Sequence, residues 1–392
     1  MRFLTAGESH GAGLTILIDG VPAGVDLPAD LINRDLHRRQ LGYGRGGRMH
    51  IEKDAAQFHG GVRFGKTTGA PIALFIENRD AKNWLAIMDP QGVPTDEKSF
   101  IRPRPGHADL AGYYKYRPKD LRDVLERASA RETAARVAAG AVAKAVLQTV
   151  GIDVFSHVIE LGGIRIDEAD LPKDFQALKH QAESNDCRTG GREQTIHAMR
   201  GAIDEARMAG TTLGGEVEIL AVNVPPGLGS YAQWDRKLDG QLAQAVMSIQ
   251  AIKAVAIGDG VLGSVRAGHE FHDAITKAGE ALTTRPTNRA GGLEGGVTNG
   301  MPVVVRAIMK PIATLRTPLT SVNIETGQEE SAHFERSDVT AVPACGVVAE
   351  AMVAWVLANA LLDKFGEDTA SEMRDNLARY QAGLPLAPTY SK

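Results

Sequence analysis

Apolar and polar positions along the chain follow two periods, one typical of strands and one typical of helices. Short apolar or alternating runs bounded by glycine, proline or polar residues predict strands over residues 14–18, 71–77, 152–166 and 216–224. Helical spacing of apolar residues and helix-breaking residues at the ends predict helices over residues 28–40, 193–209 and 238–248. Strands and helices are therefore expected to alternate throughout the chain.

A longer helix is predicted to begin at Ser129. Serine is a good N-cap, Glu132 stands three residues later as in a capping box, and Gly151 follows the run of small residues. Arg127 and Arg131 flank this start, and the unpaired N–H groups of a helix N-terminus favour a bound anion. Ser129 is therefore a plain cap or a cap that also contacts a ligand, and the two roles are compatible.

The most apolar stretch, residues 344–362, is predicted to be a buried helix of a soluble protein. It is rich in alanine and is interrupted by Glu350 and Asn359, and a charge at the centre of a bilayer costs about 2.5 to 3.5 kcal/mol. The first residues turn polar at Glu8 and His10, so no targeting segment is expected.

The two halves of the sequence show a weak repeat. Residues 21–24, which follow one predicted strand, resemble residues 224–227, which follow another, and later turns and small-residue helices come in the same order. We interpret residues 1–150 and 210–365 as halves of a pseudo-twofold single domain with its site between them. Chance similarity of Gly/Pro turns is the alternative.

Composition limits the class of protein. The 392 residues are 43% hydrophobic and 23% charged, as in ordinary globular proteins, and the formal net charge is −4. A general nucleic-acid or membrane-surface binder would carry a basic excess, and a content of 5% aromatic residues disfavours a stacking platform for RNA. Cys187 and Cys345 are too few for a disulfide framework and lack metal-ligand spacing. A reducing cytoplasm and a locally basic site are expected.

Two nucleotide-binding patterns occur, and both fail on context. Residues 60–67 fit the P-loop expression, but Gly69 and Pro71 follow and predict a strand where a P-loop would open a helix. Residues 42–47 fit the dinucleotide fingerprint, yet they follow a helix rather than a strand. Neither kind of nucleotide site is expected.

Arginine is concentrated near these glycines. Arg34, Arg38, Arg39, Arg45 and Arg48 fall within about fifteen residues. The planar fork of arginine suits phosphate and carboxylate, and glycines let the backbone close around a ligand. We therefore interpret Arg39, Arg45 and Arg48 as anion ligands, whereas for Arg34 and Arg38 a solvated helix face is an equal alternative.

Two histidines in polar loops are candidates for proton transfer. His10 lies between glycines, and His107 follows two prolines and precedes Asp109. Histidine titrates near neutral pH, although a lone histidine is more often structural. Other histidines are interpreted as ordinary surface or core residues, among them His37, His157, His180 and His197.

Three segments resemble signatures of the chorismate synthase family. They are Gly7-Glu8-Ser9-His10-Gly11 continuing to Pro22, Ser129-Ala130-Arg131 with Thr133, and Arg336-Ser337-Asp338-Val339-Thr340 continuing to Glu350. The loop Arg104-Pro105-Gly106-His107-Ala108-Asp109 also matches the family's histidine loop. The resemblance covers nearly the whole chain, and residues 90–100 look like a variable insertion.

The resemblance implies an α+β fold, a βαβ sandwich with helices packed between antiparallel sheets, in one domain that spans residues 1–392 and assembles as a homotetramer. It implies a cytoplasmic carbon-oxygen lyase that removes phosphate from 5-enolpyruvylshikimate 3-phosphate to give chorismate, the last step of the shikimate pathway of aromatic amino-acid biosynthesis. The cofactor would be reduced FMN, with NADPH as a reductant. The partner would be this small-molecule substrate, with no nucleic acid, membrane or metal.

The resemblance also implies roles for individual residues. His10 would protonate the leaving phosphate and His107 the reduced flavin, while Asp338, with Ser9 and Ser129, would manage the proton at the flavin N5. The residues implied to hold the substrate's anionic groups are Arg39, Arg45, Arg48 and Arg131, of which the first two are also linked to NADPH. Those implied to contact FMN are Arg127, Ala128, Ser129, Gln250, Ala251, Gly295, Lys310, Pro311, Ile312, Ala313, Thr314 and Arg336.

Two other functions stay open at this level. An NADPH-dependent flavin oxidoreductase would use the same arginines to grip the phosphates of its cofactor. A non-catalytic protein that binds a phosphate ligand or RNA is the second alternative, and it would show steeply salt-dependent RNA binding.

Overall fold

Two antiparallel sheets enclose a layer of helices in the computed structural model, which describes residues 1–46, 53–93, 98–278, 282–335 and 337–384. The helices are α1 (Ala29–Gln40), α2 (Asp109–Tyr116), α3 (Arg122–Ala128), α4 (Thr133–Gln148), α5 (Phe175–Glu183), α6 (Glu193–Ala209), α7 (Leu238–Met247), α8 (Gly268–Phe271), α9 (Val342–Phe365) and α10 (Ala370–Ala382). The strands are β1 (Arg2–Ala6), β2 (Gly13–Asp19), β3 (Ala56–Gly60), β4 (Val62–Arg63), β5 (Lys66–Thr67), β6 (Ile72–Glu77), β7 (Asp153–Leu161), β8 (Ile164–Arg165), β9 (Gly215–Val222), β10 (Ile252–Ile257), β11 (Thr276–Ala278), β12 (Leu282–Thr284), β13 (Leu293–Glu294), β14 (Val297–Thr298), β15 (Val303–Met309), β16 (Thr320–Val322) and β17 (Glu329–Ser331).

The two main sheets are antiparallel throughout. The first has the strand order β1-β2-β6-β3, and the second has the order β8-β7-β9-β15-β10. Helices α1 and α4 pack against the first sheet, α7 and α9 pack against the second, and α4 lies against α9. The chain therefore has the predicted α+β sandwich architecture, with the helices between the sheets.

Side-chain alternation gives the first sheet one buried face. In β2, Leu14, Ile16 and Ile18 are buried, whereas the side chains between them are exposed. Successive side chains of a strand point to opposite faces, so one face meets the helix layer.

The central helices are buried on nearly every side, which explains their small apolar residues. An ideal Cβ on Gly140 of α4 would lie only 2.2 Å from the Cβ of Ala351 in α9. Within the described chain, α9 is the one helix long and apolar enough to cross a membrane, but 94% of its most apolar window is buried inside the protein. The core role predicted for this stretch is confirmed.

Most predicted elements are confirmed with small shifts of their ends. The helices predicted over residues 28–40, 193–209 and 238–248 correspond to α1, α6 and α7. The strands predicted over residues 14–18, 71–77 and 216–224 correspond to β2, β6 and β9.

Two local predictions are wrong in part. Residues 152–166 form two strands, because Gly162 and Gly163 adopt φ values of 60° and 83° and turn the chain between β7 and β8. Ser129 does cap a helical turn, but the turn is the 3₁₀ segment Ala130–Glu132 that precedes α4. The Glu132 side chain is engaged elsewhere, by Thr5, Arg136 and Gln250, and does not close the predicted capping box.

Residues 60–67 form a hairpin and not a P-loop. Strands β4 and β5 are joined by Phe64 and Gly65, whose φ values of 52° and 72° are those of a two-residue hairpin turn. The second glycine pattern follows α1, and its last glycine, Gly47, lies outside the described residues. Both nucleotide motifs therefore fail on structural context, as predicted.

The two halves share a strand order and a local hydrogen-bond pattern. The order β1-β2-β6-β3 of the first sheet corresponds to β7-β9-β15-β10 of the second, although β7 (Asp153–Leu161) precedes the range predicted for the second half, residues 210–365. The hydroxyl of Thr67 accepts from the Val25 N–H at 2.9 Å, and that of Thr298 accepts from the Leu228 N–H at 2.8 Å. Each threonine hydroxyl also donates to the carbonyl of the corresponding proline in the preceding turn. These matches support the internal repeat, which stays a prediction.

A buried ion network joins the helices that carry the site. The fully buried Glu350 of α9 accepts from both Nη atoms of Arg38 at 2.9 and 2.8 Å and from Lys144 Nζ at 2.6 Å. Burial alone would raise the pKa of Glu350, but the charges of Arg38 and Lys144 outweigh it and hold the pKa well below its usual range. The network thus ties α1 to α4 and α9.

Arg38 and Arg34 have different surroundings. Arg38 is largely buried in this network, where Asp35 accepts from it at 2.9 Å, so it does not lie on a solvated helix face. The side chain of Arg34 is 60% exposed, in agreement with the solvated alternative. The network fixes the part of α1 that leads directly to Arg39.

Candidate active site

The loop of residues 7–11, between β1 and β2, is held from two sides by buried residues. Glu126 Oε2 accepts from the His10 N–H at 2.8 Å, and the Glu126 carbonyl accepts from the Ser9 N–H at 3.1 Å. The side-chain amide of Asn78 donates to two carbonyls of the loop at 3.0 and 2.8 Å. Hydrogen bonds therefore hold both N–H groups and carbonyl groups of the loop.

Ser9 and His10, both predicted to act in proton transfer, are buried in this loop. His10 Nδ1 lies 2.8 Å from Glu126 Oε1. The hydroxyl of Ser129 donates to that of Ser9 at 3.1 Å. The structure thus brings the two predicted serines into direct contact beside His10.

Arg131 lies in the 3₁₀ turn that precedes α4, between Asn78 and Asp54. Its Nε donates to Asn78 Oδ1 at 2.8 Å, and its Nη1 donates to Asp54 Oδ1 at 2.6 Å. Asn78 also binds carbonyls of the His10 loop, so this predicted anion ligand is tied to that loop through one shared residue.

Arg39, which ends α1 with Gln40, is almost completely buried. Its guanidinium donates to Thr133 Oγ1 and to the Ala130 carbonyl, each at 2.9 Å. Burial lowers the pKa of Arg39 to about 10, with Asp54 opposing the shift and Arg131 adding to it. Among the described residues its Nη1 has no hydrogen-bond partner and lies 3.5 Å from Asp54 Oδ2. A buried guanidinium N–H group that lacks a hydrogen-bond acceptor suits an anionic ligand.

Asp338 lies just before α9 and contacts the segment after α1. Its Oδ1 accepts from the Gly46 N–H at 2.6 Å, and its Oδ2 lies 2.8 Å from Arg45 Nη1. Arg39 interacts electrostatically with both Arg45 and Asp338. The three guanidinium groups of Arg39, Arg45 and Arg131 therefore face only two carboxylates, those of Asp54 and Asp338. The excess positive charge suits an anionic ligand.

His107 belongs to a second histidine–carboxylate pair. The buried Asp109 accepts from His107 Nδ1 and from Arg104 Nε, the latter at 2.8 Å. Burial alone would raise the pKa of Asp109, but the hydrogen bonds from His107 and Arg104 outweigh it and hold the pKa well below its usual range. Two groups face His107 Nδ1: the carboxylate of Asp109, which accepts when Nδ1 carries a proton, and the donor Arg104 Nη2 at 2.9 Å.

The His107 loop is joined to the Asp338 segment through Thr314. Arg104 Nη1 donates to Thr314 Oγ1 at 3.1 Å, and the Thr314 carbonyl accepts from Ser337 Oγ at 2.9 Å. An ideal Cβ on Gly106 would lie 3.8 Å from the Cβ of Ala313. The predicted FMN segment, residues 310–314, therefore packs against the histidine loop.

Three other residues predicted to contact FMN are Gln250, Ala251 and Lys310. Gln250 Nε2 donates to Glu132 Oε2 at 3.0 Å, while Gln250 Oε1 is buried and has no hydrogen-bond partner among the described residues. The Lys310 N–H donates to the Ala251 carbonyl at 3.0 Å. Burial and the charge of Lys253 lower the pKa of Lys310.

The remaining predicted flavin contacts are placed as follows. The Arg127 guanidinium donates to the Thr5 carbonyl at 2.9 Å, and Ala128 ends α3 directly before Ser129. Gly295 lies in the turn of the β13–β14 hairpin, where an ideal Cβ would be 3.8 Å from the Cβ of Tyr231. Pro311 and Ile312 follow β15. Two predicted ligands, Arg48 and Arg336, lie outside the described residues.

Glu335 adds another carboxylate near His10. Its Oε1 lies 3.4 Å from Arg122 Nη2 and 3.5 Å from His333 Nε2, and it interacts electrostatically with His10. Burial alone would raise the pKa of Glu335, but the hydrogen bond from His333 and the charge of Arg122 outweigh it and lower the pKa to about 2.

No group of three or more His, Cys, Asp or Glu side chains that could hold a metal ion occurs within the described ranges. Cys187 and Cys345 are both buried and unpaired as a disulfide.

Comparison with known proteins covers nearly the whole chain. The family model described as chorismate synthase matches residues 1–362. A chorismate synthase of Aquifex aeolicus is 52% identical over 387 residues, with 97% of each chain covered. The chain belongs to the chorismate synthase family. A relative in that family from Moorella thermoacetica is 53% identical over 385 residues, with 98% of this chain and 99% of the relative covered. A crystal structure of a chorismate synthase superposes with a TM-score of 0.78 at 42% identity and covers 98% of each chain.

Members of the chorismate synthase family are lyases, and membership implies a reduced flavin cofactor. The residues present fit such a group. The buried Gln250 Oε1, without a hydrogen-bond partner in the described part of the chain, can accept from a ring N–H. The partly buried ammonium of Lys310 and the guanidinium of Arg39 offer positive charge to anionic groups.

Three residues of the candidate site escaped sequence reasoning: Glu126, Asn78 and Asp54. All three are buried polar side chains that hold a predicted site residue. The available signals were weak. Asn78 directly follows a predicted strand, and Glu126 stands three residues before Ser129, but a buried partner is visible only in three dimensions.

Proposed function

We propose that the chain converts 5-enolpyruvylshikimate 3-phosphate into chorismate by 1,4-anti elimination, in which phosphate leaves C3 and a hydrogen leaves C6 without net redox change. The observation that carries this proposal is the joining of an arginine cluster to two histidine–carboxylate pairs within one site. The family to which the chain belongs supports the same reaction.

The arginine cluster suits the charges of this substrate. The substrate carries one phosphate and two carboxylates, and the guanidinium groups of Arg39, Arg45 and Arg131 outnumber the carboxylates beside them. Arginine binds such groups through paired hydrogen bonds. We include Arg48 in this set on the resemblance alone.

The histidines supply protons at opposite parts of the site. His10 protonates the leaving phosphate, and Glu126 holds its ring through Nδ1. His107 protonates the reduced flavin: Asp109 holds its ring through Nδ1, and the neighbouring Gly106 lies against the segment 310–314. Asp338, with Ser9 and Ser129, manages the proton at the flavin N5, a role that rests on the family resemblance.

The cofactor is proposed to be FMN in its reduced form, which when bound would lend an electron for phosphate departure and regain it with the hydrogen from C6. The chain holds it through residues of several segments: Arg127, Ala128, Ser129, Gln250, Ala251, Gly295, Lys310, Pro311, Ile312, Ala313, Thr314 and Arg336. We further propose a cytoplasmic homotetramer, with NADPH as the reductant near Arg39 and Arg45.

The test is an anaerobic assay with the protein, FMN, dithionite and the substrate, in which chorismate absorbance and released phosphate are followed together. Equal yields of both, lost when the flavin is left oxidised, are expected. Folded protein that forms no product with reduced flavin refutes the proposal. Stoichiometric consumption of NADPH with an organic acceptor would identify an oxidoreductase.

The histidine roles are tested in the same assay. His10→Ala and His107→Ala are each expected to lower kcat by about 10²- to 10⁴-fold, the usual contribution of a general acid. The exposed His180 provides the control, since His180→Ala should leave kcat unchanged. A histidine whose removal leaves wild-type turnover has no part in the mechanism.

A further inference from the structure

We propose that Glu126 is the positioning residue of His10, which holds the Nδ1–H of the imidazole so that His10 transfers its proton through Nε2. The inference rests on the proton-transfer role proposed for His10 and extends it to a residue outside the matched signatures.

The contacts of Glu126 determine the state of the ring. Its Oε1 lies 2.8 Å from His10 Nδ1 and 3.3 Å from Arg122 Nη1, and its Oε2 accepts from the His10 N–H at 2.8 Å. Arg122 and the backbone are donors, which is the environment of an ionised carboxylate. Because a carboxylate only accepts, Nδ1 carries the proton in both the neutral and the protonated ring.

A stacking contact fixes the plane of the same ring. The His10 and Trp84 rings are 4.0 Å apart between centroids and inclined by 30°. Trp84 is itself held, since its Nε1 donates to Asp80 and the cations of Arg122 and Lys98 lie over its ring. One edge and one face of the imidazole are thus constrained, which fixes the direction of the second nitrogen.

The side chain of Glu126 acts on the ring more than on the loop. The Ser9 N–H binds the Glu126 carbonyl, which every substitution at this position retains. The amide of Asn78 independently anchors the carbonyls of the loop. The loop therefore keeps its two main anchors when the carboxylate is replaced, whereas the imidazole loses the partner that sets its tautomer.

Glu126→Gln replaces the carboxylate with an amide of nearly the same size, so it changes the hydrogen bonding and the charge but not the volume of the side chain. The amide has one acceptor oxygen, so it cannot accept from both the His10 N–H and the ring as the carboxylate does. With the oxygen on the backbone N–H, the NH₂ group faces Nδ1 and favours the opposite tautomer. The imidazolium also loses its negative neighbour.

The test is a double-mutant cycle of Glu126→Gln and His10→Ala in the anaerobic assay. Glu126→Gln is expected to lower kcat by at least about tenfold and by no more than His10→Ala does, within the range of about 10²- to 10⁴-fold for a general acid. The Kd for the substrate, which the arginines hold, should change by less than about threefold. In the His10→Ala background, Glu126→Gln should cause no further loss.

Glu218→Gln is the matched control, because Glu218 is a buried carboxylate that contacts His157 Nε2 at 3.2 Å in the second sheet. It should leave kcat unchanged even where it lowers stability. If Glu126→Gln does not fold, Glu126→Asp takes its place in the cycle, since the shorter acid also fails to reach the ring.

Two outcomes would overturn the inference: a kcat within twofold of wild type, or an equal loss in the His10→Ala background. Failure of the proposed function is distinct, because the wild-type protein would then form no chorismate with reduced FMN. Normal turnover of His10→Ala would overturn the role of His10 and this inference together.

Discussion

The crossing of α4 and α9 predicts a large effect for a single methyl group. In Gly140→Ala, the new Cβ would lie 2.2 Å from the Cβ and 2.4 Å from the Cα of Ala351. Carbon atoms in contact need about 3.5 Å, so the two helices must separate by roughly 1.3 Å. The obstacle is partly main chain, which cannot rotate away as a long side chain would.

The magnitude follows from two opposing effects. Overpacking in a filled core costs about 1 to 3 kcal/mol, and the rigid neighbour places this site at the upper end. Alanine recovers about 0.5 to 1 kcal/mol relative to glycine inside a helix. We therefore expect Gly140→Ala to lower the free energy of unfolding by about 2 kcal/mol.

The matched control is Gly201→Ala in α6. Apart from its chain neighbours and the backbone of α6, no atom of the described residues lies within 4 Å of an ideal Cβ at Gly201. Only the helix preference therefore acts, and the variant should gain about 0.5 to 1 kcal/mol. Urea unfolding followed by circular dichroism, at one protein concentration, measures both changes. An unfolding midpoint of Gly140→Ala at or above that of the wild type would refute the reasoning.

Gly140→Ala should also reduce activity, whereas Gly201→Ala should not. Helix α4 follows the turn that carries Arg131, and α9 follows the segment that carries Asp338. Separation of the helices therefore changes the spacing of two parts of the site, and kcat/KM reports it.

Three further predictions follow from buried charges. Arg39→Lys keeps the positive charge but removes the guanidinium group, which donates to Thr133 and leaves Nη1 available to an anion. A titration should therefore show the Kd of the substrate raised at least about tenfold. An unchanged Kd would contradict the anion role. Lys144→Met leaves two buried carboxylates short of a partner and should cost about 3 to 5 kcal/mol in urea unfolding, whereas Lys66→Met, at an exposed pair, should cost under about 1 kcal/mol. Folding lowers the pKa of Glu335 from 4.5 to about 2, so the ionised carboxylate stabilises the folded protein. This contribution to the free energy of unfolding is complete above pH 4.5 and is lost as the pH falls toward about 2. Glu335→Gln should therefore be less stable than wild type at pH 6 by on the order of 3 kcal/mol and converge with it near pH 2; a difference independent of pH contradicts this.

The sequence predicts what depends on local periodicity or on long motifs. Strands such as β2 alternate because one face is buried, and the apolar stretch of α9 is interrupted by a charge that a membrane would not favour. The capping box at Ser129 was wrong because tertiary contacts recruited Glu132, and local propensity contains no information about them. Glu126 was missed for the same reason, since its partner His10 is 116 residues away in the sequence.

The place of the site follows from the proposed internal repeat. The connection after α1 carries Arg45, and the corresponding connection after α7 carries Gln250 and Ala251. Asn78 follows β6 as Lys310 follows the corresponding β15.

The starts of the two central helices complete this correspondence. The turn before α4 carries Arg131, and the segment before α9 carries Asp338. Hydrogen bonds or ion pairs connect these positions across the halves, as between Arg45 and Asp338. If the halves are related as proposed, the site is built from equivalent loops of both halves, and these loops carry different side chains in each half. The first half supplies all four proposed anion ligands and both histidines proposed to transfer protons, while the second supplies most of the proposed flavin contacts. Neither half alone would therefore form the proposed site.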